Sequence, residues 1–525
     1  MRRAYRIGAF AVAIIFLITM LPMAHFQNGA PPHRDEDLPG GIPATMYLPG
    51  ASNQPGPDNP FYQSFPKPPD QRPPAVLLVH GFSADRISTS ALARRIAQNG
   101  YGVLAIDVRG HGENRNPFDQ QGLRDDLKTA VEYLRQSNLV DGSRIALVGH
   151  SMGAGATLDY AAHDPNIKGS VMISGGFGLD GPEHPRNTLF IFAENDPDFI
   201  KGLSAELSAH LAGADKIELG KLYGDFAGGN AVEAMQVKGV NHLTILWSAE
   251  AAQNIVQWLD GISGIKHVAA PNVAEPRLPL TILCMFLFLL LLVPIGRICG
   301  GLAPRREHRA AGSAGWRGLV ALAIALFAAM ALNATAPQAA FLSIVDGHII
   351  MSWLAIAGGL LLAMLAVRDR NDLRVLRAGL GSTLFGAALA FGAIVVISGA
   401  YDLALHRTAL TPERLLVMIA SALLILPFFV SFELMLRRGS SPVAAMLGSI
   451  GRILIVVAIA VGLGFGALPF VLGLVLPVIV IQFVMFEIFA ASVYSVSGNL
   501  LLIAIVEALW FARTAAIWWP ITFRF

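Results

Sequence analysis

The pentapeptide Gly149-His150-Ser151-Met152-Gly153 has the form G-x-S-x-G and directly follows the apolar run Arg144-Ile145-Ala146-Leu147-Val148. Two glycines let a strand reverse sharply into a helix and hold a serine Oγ proud of a sheet edge. A serine placed there attacks an acyl carbon when a histidine takes its proton and an acid orients that histidine. The backbone N–H of Met152, next in the chain, is placed to stabilise the resulting oxyanion. Five residues alone are a weak pattern. Their flanks strengthen it: the preceding run reads as a buried strand, and Ala154-Gly155-Ala156-Thr157-Leu158 reads as a helix of small residues.

Such a serine needs a sheet to stand on, and the surrounding sequence predicts one. Short apolar runs at 75–79, 102–107, 144–148, 169–174, 188–193 and 231–237 have the length and composition of buried parallel strands. Stretches at 88–99, 123–137 and 249–259 suit helices. Strands alternating with helices predict an α/β fold with a doubly wound, mostly parallel sheet over residues 75–263. Residues 29–74 form a Pro/Gly-rich leader with room for a first strand near Ala44–Leu48, and 264–277 read as a linker.

The rest of the chain is of another kind. Only 14% of the 525 residues are charged and 54% are hydrophobic, and the charge deficit is concentrated in residues 278–525. That region predicts an all-α domain of about eight membrane spans, at 278–296, 318–336, 341–366, 379–400, 414–435, 452–468, 469–491 and 497–519. Glycines, Pro469 and Pro477 interrupt the stretch 443–491 and blur its boundaries. The N-terminal Met1-Arg2-Arg3-Ala4-Tyr5-Arg6, followed by an apolar run to about Met23, reads as an uncleaved signal anchor within 1–28. Arg297, Arg305, Arg306, Arg309 and Arg317 mark one loop, Arg368, Arg370, Arg374 and Arg377 the next but one, and Arg437, Arg438 and Arg452 a third alternate loop. Arg407 and Arg414 run against this asymmetry. The positive-inside rule puts the three basic loops and the N-terminus in the cytoplasm and residues 75–263 outside it, in a periplasmic or extracellular space of a bacterial plasma membrane. Within the spans, Glu507 lies deepest, while Glu433, Glu487, Asp346 and His348 lie nearer the ends, where snorkelling is expected. Asn333 and Gln482 read as hydrogen-bonding links between helices.

The net charge of +2 and the lack of a basic stripe interleaved with aromatics argue against nucleic-acid binding. The two cysteines, Cys284 and Cys299, lie outside residues 75–263, so that domain offers neither a disulfide nor a thiolate nucleophile. No metal or other cofactor is expected.

Residues 73–262 resemble the α/β-hydrolase superfamily, and most closely its lidless members similar to dienelactone hydrolases and bacterial esterases. The resemblance rests on His80-Gly81-Phe82 after one strand, Asp107-Val108-Arg109-Gly110-His111-Gly112 after the next, the 149–153 elbow, Glu194-Asn195-Asp196-Pro197 after a later strand, and Asn241-His242 before the last helix. It implies a Ser151–His242–Asp196 triad in the chain order Ser…Asp…His, with an oxyanion hole from the backbone N–H groups of Phe82 and Met152. Of thirteen histidines, only His242 stands at the family's position for the base; elsewhere a histidine is more often structural. Asp198 and Glu194 rival Asp196 on the same loop, and an ordinary solvated turn carboxylate is the plain alternative for each. Asp107, Arg109 and His111 are expected to brace the sheet, and His150 either shapes the pocket or packs.

Thirteen residues separate Ser174 from Thr188, too few for a lid domain at the usual cap position. An open site beside a membrane domain suits a lipid or other amphiphilic acyl substrate. Two further readings stand beside a hydrolase of esters or thioesters. An acyltransferase would use the same triad, and a transporter or sensor would use a hydrolase-like domain only to bind ligand.

Overall fold

The computed structural model describes residues 12–20, 31–50, 71–176, 185–264, 277–307, 312–335, 340–368, 379–399, 405–407 and 409–524. They fall into two compact units. One takes the described residues of Met20–Thr281, Tyr401–Thr408 and Pro520–Phe525; the other takes those of Met1–Thr19, Ile282–Ala400 and Ala409–Trp519.

The first unit contains strands β1 (His33–Leu38), β2 (Ile42–Tyr47), β3 (Pro74–Val79), β4 (Gly102–Ile106), β5 (Asp141–His150), β6 (Gly169–Ile173), β7 (Thr188–Asn195) and β8 (Val232–Asn241). They form one sheet in the order β1-β2-β4-β3-β5-β6-β7-β8. The pairs β1/β2 and β2/β4 are antiparallel, and all other neighbours are parallel. Helices α1 (Ser90–Gln98), α2 (Leu123–Gln136), α3 (Met152–His163), α4 (Asp198–Ala212) and α5 (Ala249–Ser263) cover it.

The uniform apolarity of the central strands follows from burial on both faces. On one face Val76, Leu78, Val103, Val148 and Ile173 pack with Leu92 and Ile96 of α1 and Ile255 and Leu259 of α5. On the other, Leu77, Val79, Leu104, Ile106 and Leu147 pack with Leu127, Val131 and Leu134 of α2 and Tyr160 of α3.

The leader differs from the sequence expectation of a single strand near Ala44–Leu48. It holds a hairpin, β1–β2, in register from His33↔Tyr47 to Leu38↔Ile42. Gly40 and Gly41 make the reversal at φ 78° and 72°. The edge strand His33-Arg34-Asp35-Glu36-Asp37 is charged and half exposed, so no apolar run betrays it. Helix α4 had no sequence signal either, because its buried stripe includes Ser204 and Ser208. Within the leader, residues 51–70 lie outside the described residues, as do 265–276 of the expected linker.

Among the described residues, the second unit holds eight helices long and apolar enough to cross a membrane. They are α6 (Arg277–Leu302, whose first five residues fall in the first unit), α7 (Gly312–Thr335), α8 (Gly347–Arg368), α9 (Leu380–Ser398), α10 (Pro412–Leu436), α11 (Ser441–Gly464), α12 (Val471–Ser497) and α13 (Leu500–Trp518). Residues 12–20 are also helical, and the remainder of the expected anchor, 1–11 and 21–28, lies outside the described residues. Pro477 does not break a helix: it sits inside α12, as Pro294 and Pro427 sit inside α6 and α10. In membrane helices, neighbouring groups re-satisfy the backbone that proline frees. The break between α11 and α12 falls instead at residues 465–470, which include Gly466 at φ 67° and Pro469. Asn333 donates to the Ile349 carbonyl (3.1 Å) and Gln482 to Thr514 Oγ1 (2.9 Å), each joining two helices.

Three expectations about charges change. The span expected at 452–468 begins eleven residues earlier, at Ser441, so Arg452 lies mid-helix rather than in a loop. Arg437, Arg452 and Glu433 are buried rather than at an aqueous boundary. Arg414, which ran against the loop asymmetry, is also buried and donates to the Ala516, Ile517 and Trp519 carbonyls at the end of α13. The expected domain boundary moves as well, since residues 405–407 and 520–524 belong with the sheet unit. The Ile521 N–H donates to the Gly110 carbonyl (3.0 Å) and the Phe118 N–H to the Ile521 carbonyl (2.6 Å), while the Arg407 N–H donates to Asp85 Oδ2 (2.6 Å). Hydropathy marks where apolar runs end but not where the intervening residues dock.

Candidate active site

Strand β5 ends at His150, and Ser151 follows at φ 52°, ψ −117°, before α3 begins at Met152. A non-glycine residue in that region is strained, and such strain persists only where the surroundings enforce it. Here close packing enforces it. A Cβ on Gly149 would sit 2.5 Å from Thr157 Oγ1 and against the Gly153 carbonyl, and one on Gly153 would sit 2.5 Å from the Val79 carbonyl oxygen. Only glycine at both positions lets α3 approach the ends of β3 and β5 this closely. The Ser151 N–H donates to the Ile173 carbonyl (2.9 Å), which ties the elbow to β6.

Asp196 lies just past β7 and His242 just past β8, and these strands are parallel neighbours. Their loops therefore emerge at one end of the sheet, beside the elbow after β5. Ser151 Oγ–H donates to His242 Nε2 at 3.0 Å, and His242 Nδ1–H donates to Asp196 Oδ1 at 2.7 Å. An Asx turn holds the histidine: Asn241 Oδ1 accepts from the N–H groups of Leu243 (3.1 Å) and Thr244 (3.0 Å). The second carboxylate oxygen of Asp196 accepts from Ser174 Oγ (2.6 Å) and the Ala193 N–H (2.7 Å). Burial pushes the Asp196 carboxyl pKa up, but the hydrogen bonds from His242, Ser174 and Ala193 outweigh it and hold the group below its ordinary value. Asp196 is thus an anion facing the Nδ1–H of its histidine.

The rivals point elsewhere. The Asp198 side chain is fully exposed and pairs with Lys201 (2.9 Å), and Glu194 Oε2 accepts from the Gly239 N–H (2.9 Å). His150 is buried, and its Nε2–H donates to the His242 carbonyl (2.8 Å). Burial, then the nearby imidazole of His242, drives the His150 pKa down to about 3. It stays neutral across the ordinary pH range and fixes the backbone of His242 without competing for its proton.

The two expected oxyanion donors flank the serine. Met152 is the first residue of α3, where backbone N–H groups point out of the helix without intrahelical partners. Phe82 follows Gly81, where a Cβ would lie 2.9 Å from His150 Nδ1 and 3.1 Å from Ser151 Cβ. The strand-end loop carrying Phe82 therefore lies against the elbow.

Asp107 and Arg109 hold this region together. The Arg86 guanidinium forms an ion pair with Asp107, whose Oδ1 also accepts from the Arg86 N–H (2.8 Å) and whose Oδ2 accepts from the Glu113 N–H (3.0 Å). Arg109 pairs with Asp126 (2.9 Å), and His111 packs on His80, Phe82 and Phe118. Sequence inspection gave no role to Arg86 or Ser174. Arg86 sits in a polar loop without periodicity; Ser174 stood at a strand end beside Gly175-Gly176, a turn signal but not a chemical one.

Residues 70–212 match the protein family described as Serine aminopeptidase, S33. This is an α/β-hydrolase domain. The matched stretch of the hydrolase domain includes Phe82, Ser151 and Asp196, and His242 lies beyond it. Over 92 residues the chain is 38% identical to an uncharacterized protein of Mycobacterium tuberculosis, covering 18% of this chain and 33% of that one. Over 107 residues it is 32% identical to Cutinase est1 of Thermobifida alba, covering 19% and 34%. The chain thus spans about a third of the length of these curated relatives. Among solved structures, an esterase of Pyrobaculum calidifontis superposes with a TM-score of 0.33 at 18% identity, covering 49% of this chain and 93% of that one.

Proposed function

We propose that this chain is a membrane-bound serine hydrolase that cleaves an ester or thioester through an acyl-enzyme on Ser151. One observation carries the reading: an unbroken relay runs from Ser151 Oγ to His242 Nε2 (3.0 Å) and from His242 Nδ1 to Asp196 (2.7 Å), with the serine on a strained turn. Ser151 Oγ attacks the acyl carbon as His242 Nε2 takes its proton. Asp196 stays ionised and stabilises the imidazolium. The N–H groups of Met152 and Phe82 receive the oxyanion, and loss of one such donor typically costs about 3 kcal/mol. His242 then protonates the leaving group, and water, activated by the same histidine, releases the acid.

An amphiphilic acyl substrate fits the surface near these residues. Leu243, next in the chain to His242, is 39% exposed, and Phe199 and Leu203, one turn apart on α4, are 46% and 40% exposed. Isolated exposed apolar residues are ordinary; three around the acid and base loops offer an acyl chain a dry face.

The reading puts the domain outside the cytoplasm, and the span count and the arginines support it. Eight spans set an even count. Residues 405–407, between α9 and α10, and 520–524, after α13, fall by that count on the same side as the hydrolase domain, to which both segments bond. Arg305, Arg306 and Arg438 fall on the opposite side.

Labelling membranes with a fluorophosphonate tests the nucleophile. Wild type is labelled and Ser151→Ala is not; labelling that survives the substitution, or never appears, refutes the reading. Product analysis with an acyl ester and an added alcohol or amine then separates hydrolysis from acyl transfer.

A further inference from the structure

Five ionisable side chains meet inside the helical unit: Glu433 near the end of α10, Arg437 at its cap, Arg452 in the middle of α11, Glu487 on α12 and Glu507 on α13. Their side chains are between 0% and 14% exposed. Three carboxyls face two guanidiniums, so the group is one positive charge short.

The hydrogen bonds locate the deficit. Arg437 donates to both oxygens of Glu433 (2.8 and 3.0 Å) and both of Glu487 (2.5 and 3.0 Å). Arg452 donates to Glu487 Oε2 (2.5 Å), reaches Glu433 Oε1 (3.4 Å) and bonds to Glu507 Oε1. Glu433 and Glu487 are therefore doubly engaged. Glu507 is held through one oxygen, and its Oε2 is buried without a hydrogen-bond partner. An uncompensated carboxylate in such surroundings is strongly disfavoured, and the ordinary escape is neutralisation.

Among the described residues, Arg452 is the cation bonded to this carboxyl. Helix α9 carries no charged residue, and Arg414 of α10 is committed to carbonyls at the far end of α13. Arg513, on α13 itself, donates to Ser398 Oγ (3.1 Å).

We propose that Glu507 is a proton-binding site of the helical unit, its carboxyl carrying the proton on Oε2. Binding is a simple protonation, with one proton added and one negative charge removed. Its loss gives Arg452 a third full anion to satisfy. Arg452 is then drawn toward Glu507 and away from Glu433 and Glu487, which pulls on α10, α11, α12 and α13 together. The site thus links proton occupancy to helix packing, as a proton-dependent membrane step requires.

Infrared spectroscopy of the full-length protein in detergent, with and without ¹³C-labelled glutamate, tests this directly. The wild type shows a protonated glutamic-acid carbonyl band at neutral pH that shifts in D₂O, is absent in Glu507→Gln and moves in Glu507→Asp. Absence of the band, or its persistence unchanged in both variants, overturns the proposal. Thermal stability provides a second readout. Glu507→Gln replaces a neutral acid by a neutral amide of the same shape and leaves the Tm close to wild type, whereas Glu433→Gln, which removes a doubly engaged anion, lowers it. Equal loss in the two variants, or stabilisation of the wild type by sodium or potassium chloride that Glu507→Gln abolishes, shows an ionised Glu507 and overturns the proposal.

Discussion

At the scale of single residues, the acid is the instructive group. Asp196 holds its negative charge because three donors converge on a buried carboxylate. Asp196→Asn keeps the shape but presents His242 with the wrong tautomer partner, and kcat should fall by about 10⁴-fold. The variant also changes the pH dependence of stability. A carboxyl held below its ordinary pKa stabilises the fold above that value, and the stabilisation is lost as pH falls through the depressed folded-state pKa. Wild type should therefore unfold at a higher temperature than Asp196→Asn near neutrality, the gap closing once the pH drops below about 4; a gap that widens on acidification contradicts the assignment. Ser174 supplies one of the three donors. A hydrogen bond to a charged group is worth about 1.5–3 kcal/mol, so Ser174→Ala should lower kcat by about tenfold or more, with KM little changed. Ester-hydrolysis kinetics measure both. Its position past a strand end singles out Asp196 in the sequence, although Glu194 and Asp198 share the same turn. The paths of their side chains, set by where β7 and β8 end, separate them.

At the scale of elements, the elbow and the strand-end loop before it work as one piece. Gly81 packs so closely on His150 and Ser151 that an added Cβ would lie 2.9 Å from the first and 3.1 Å from the second. Gly81→Ala should displace the loop bearing Phe82 and cost catalysis more than stability; a Tm loss without a fall in kcat would place Gly81 among purely structural glycines. Gly149→Ala would drive a methyl group into the α3 backbone and the Thr157 hydroxyl, an overpacking that costs about 1–3 kcal/mol, and should lower the Tm as well as the activity. The strand and helix patterns around the elbow were legible because both faces of β3, β4 and β5 are buried. The hairpin of β1 and β2 and helix α4 were not. Their exposed or hydroxyl-lined faces leave no apolar period, and only pairing with the rest of the sheet or packing against it gives them form.

At the scale of the whole molecule, the proposed location of the hydrolase domain outside the cytoplasm rests on an even number of candidate spans and the positions of a few arginines. The domain contains no cysteine, and Cys284 and Cys299 are both buried. A cysteine in place of the half-exposed Lys221 is therefore a clean reporter. A membrane-impermeant maleimide should label Lys221→Cys in intact, right-side-out membrane vesicles; labelling only after detergent treatment would reverse the orientation. The sequence by itself determined the α/β character of residues 75–263, the G-x-S-x-G turn and the series of apolar helices, because strand length, helix length and turn chemistry are encoded by neighbouring residues. The tertiary structure alone decided that residues 405–407 and 520–524 dock on the sheet unit. It also decided that Glu433, Arg437 and Arg452 are buried, and that Arg452 joins Glu507 to Glu433 and Glu487. Each of these depends on groups far apart in the chain meeting in space, and a charge in a sequence carries no mark of the partner that will neutralise it.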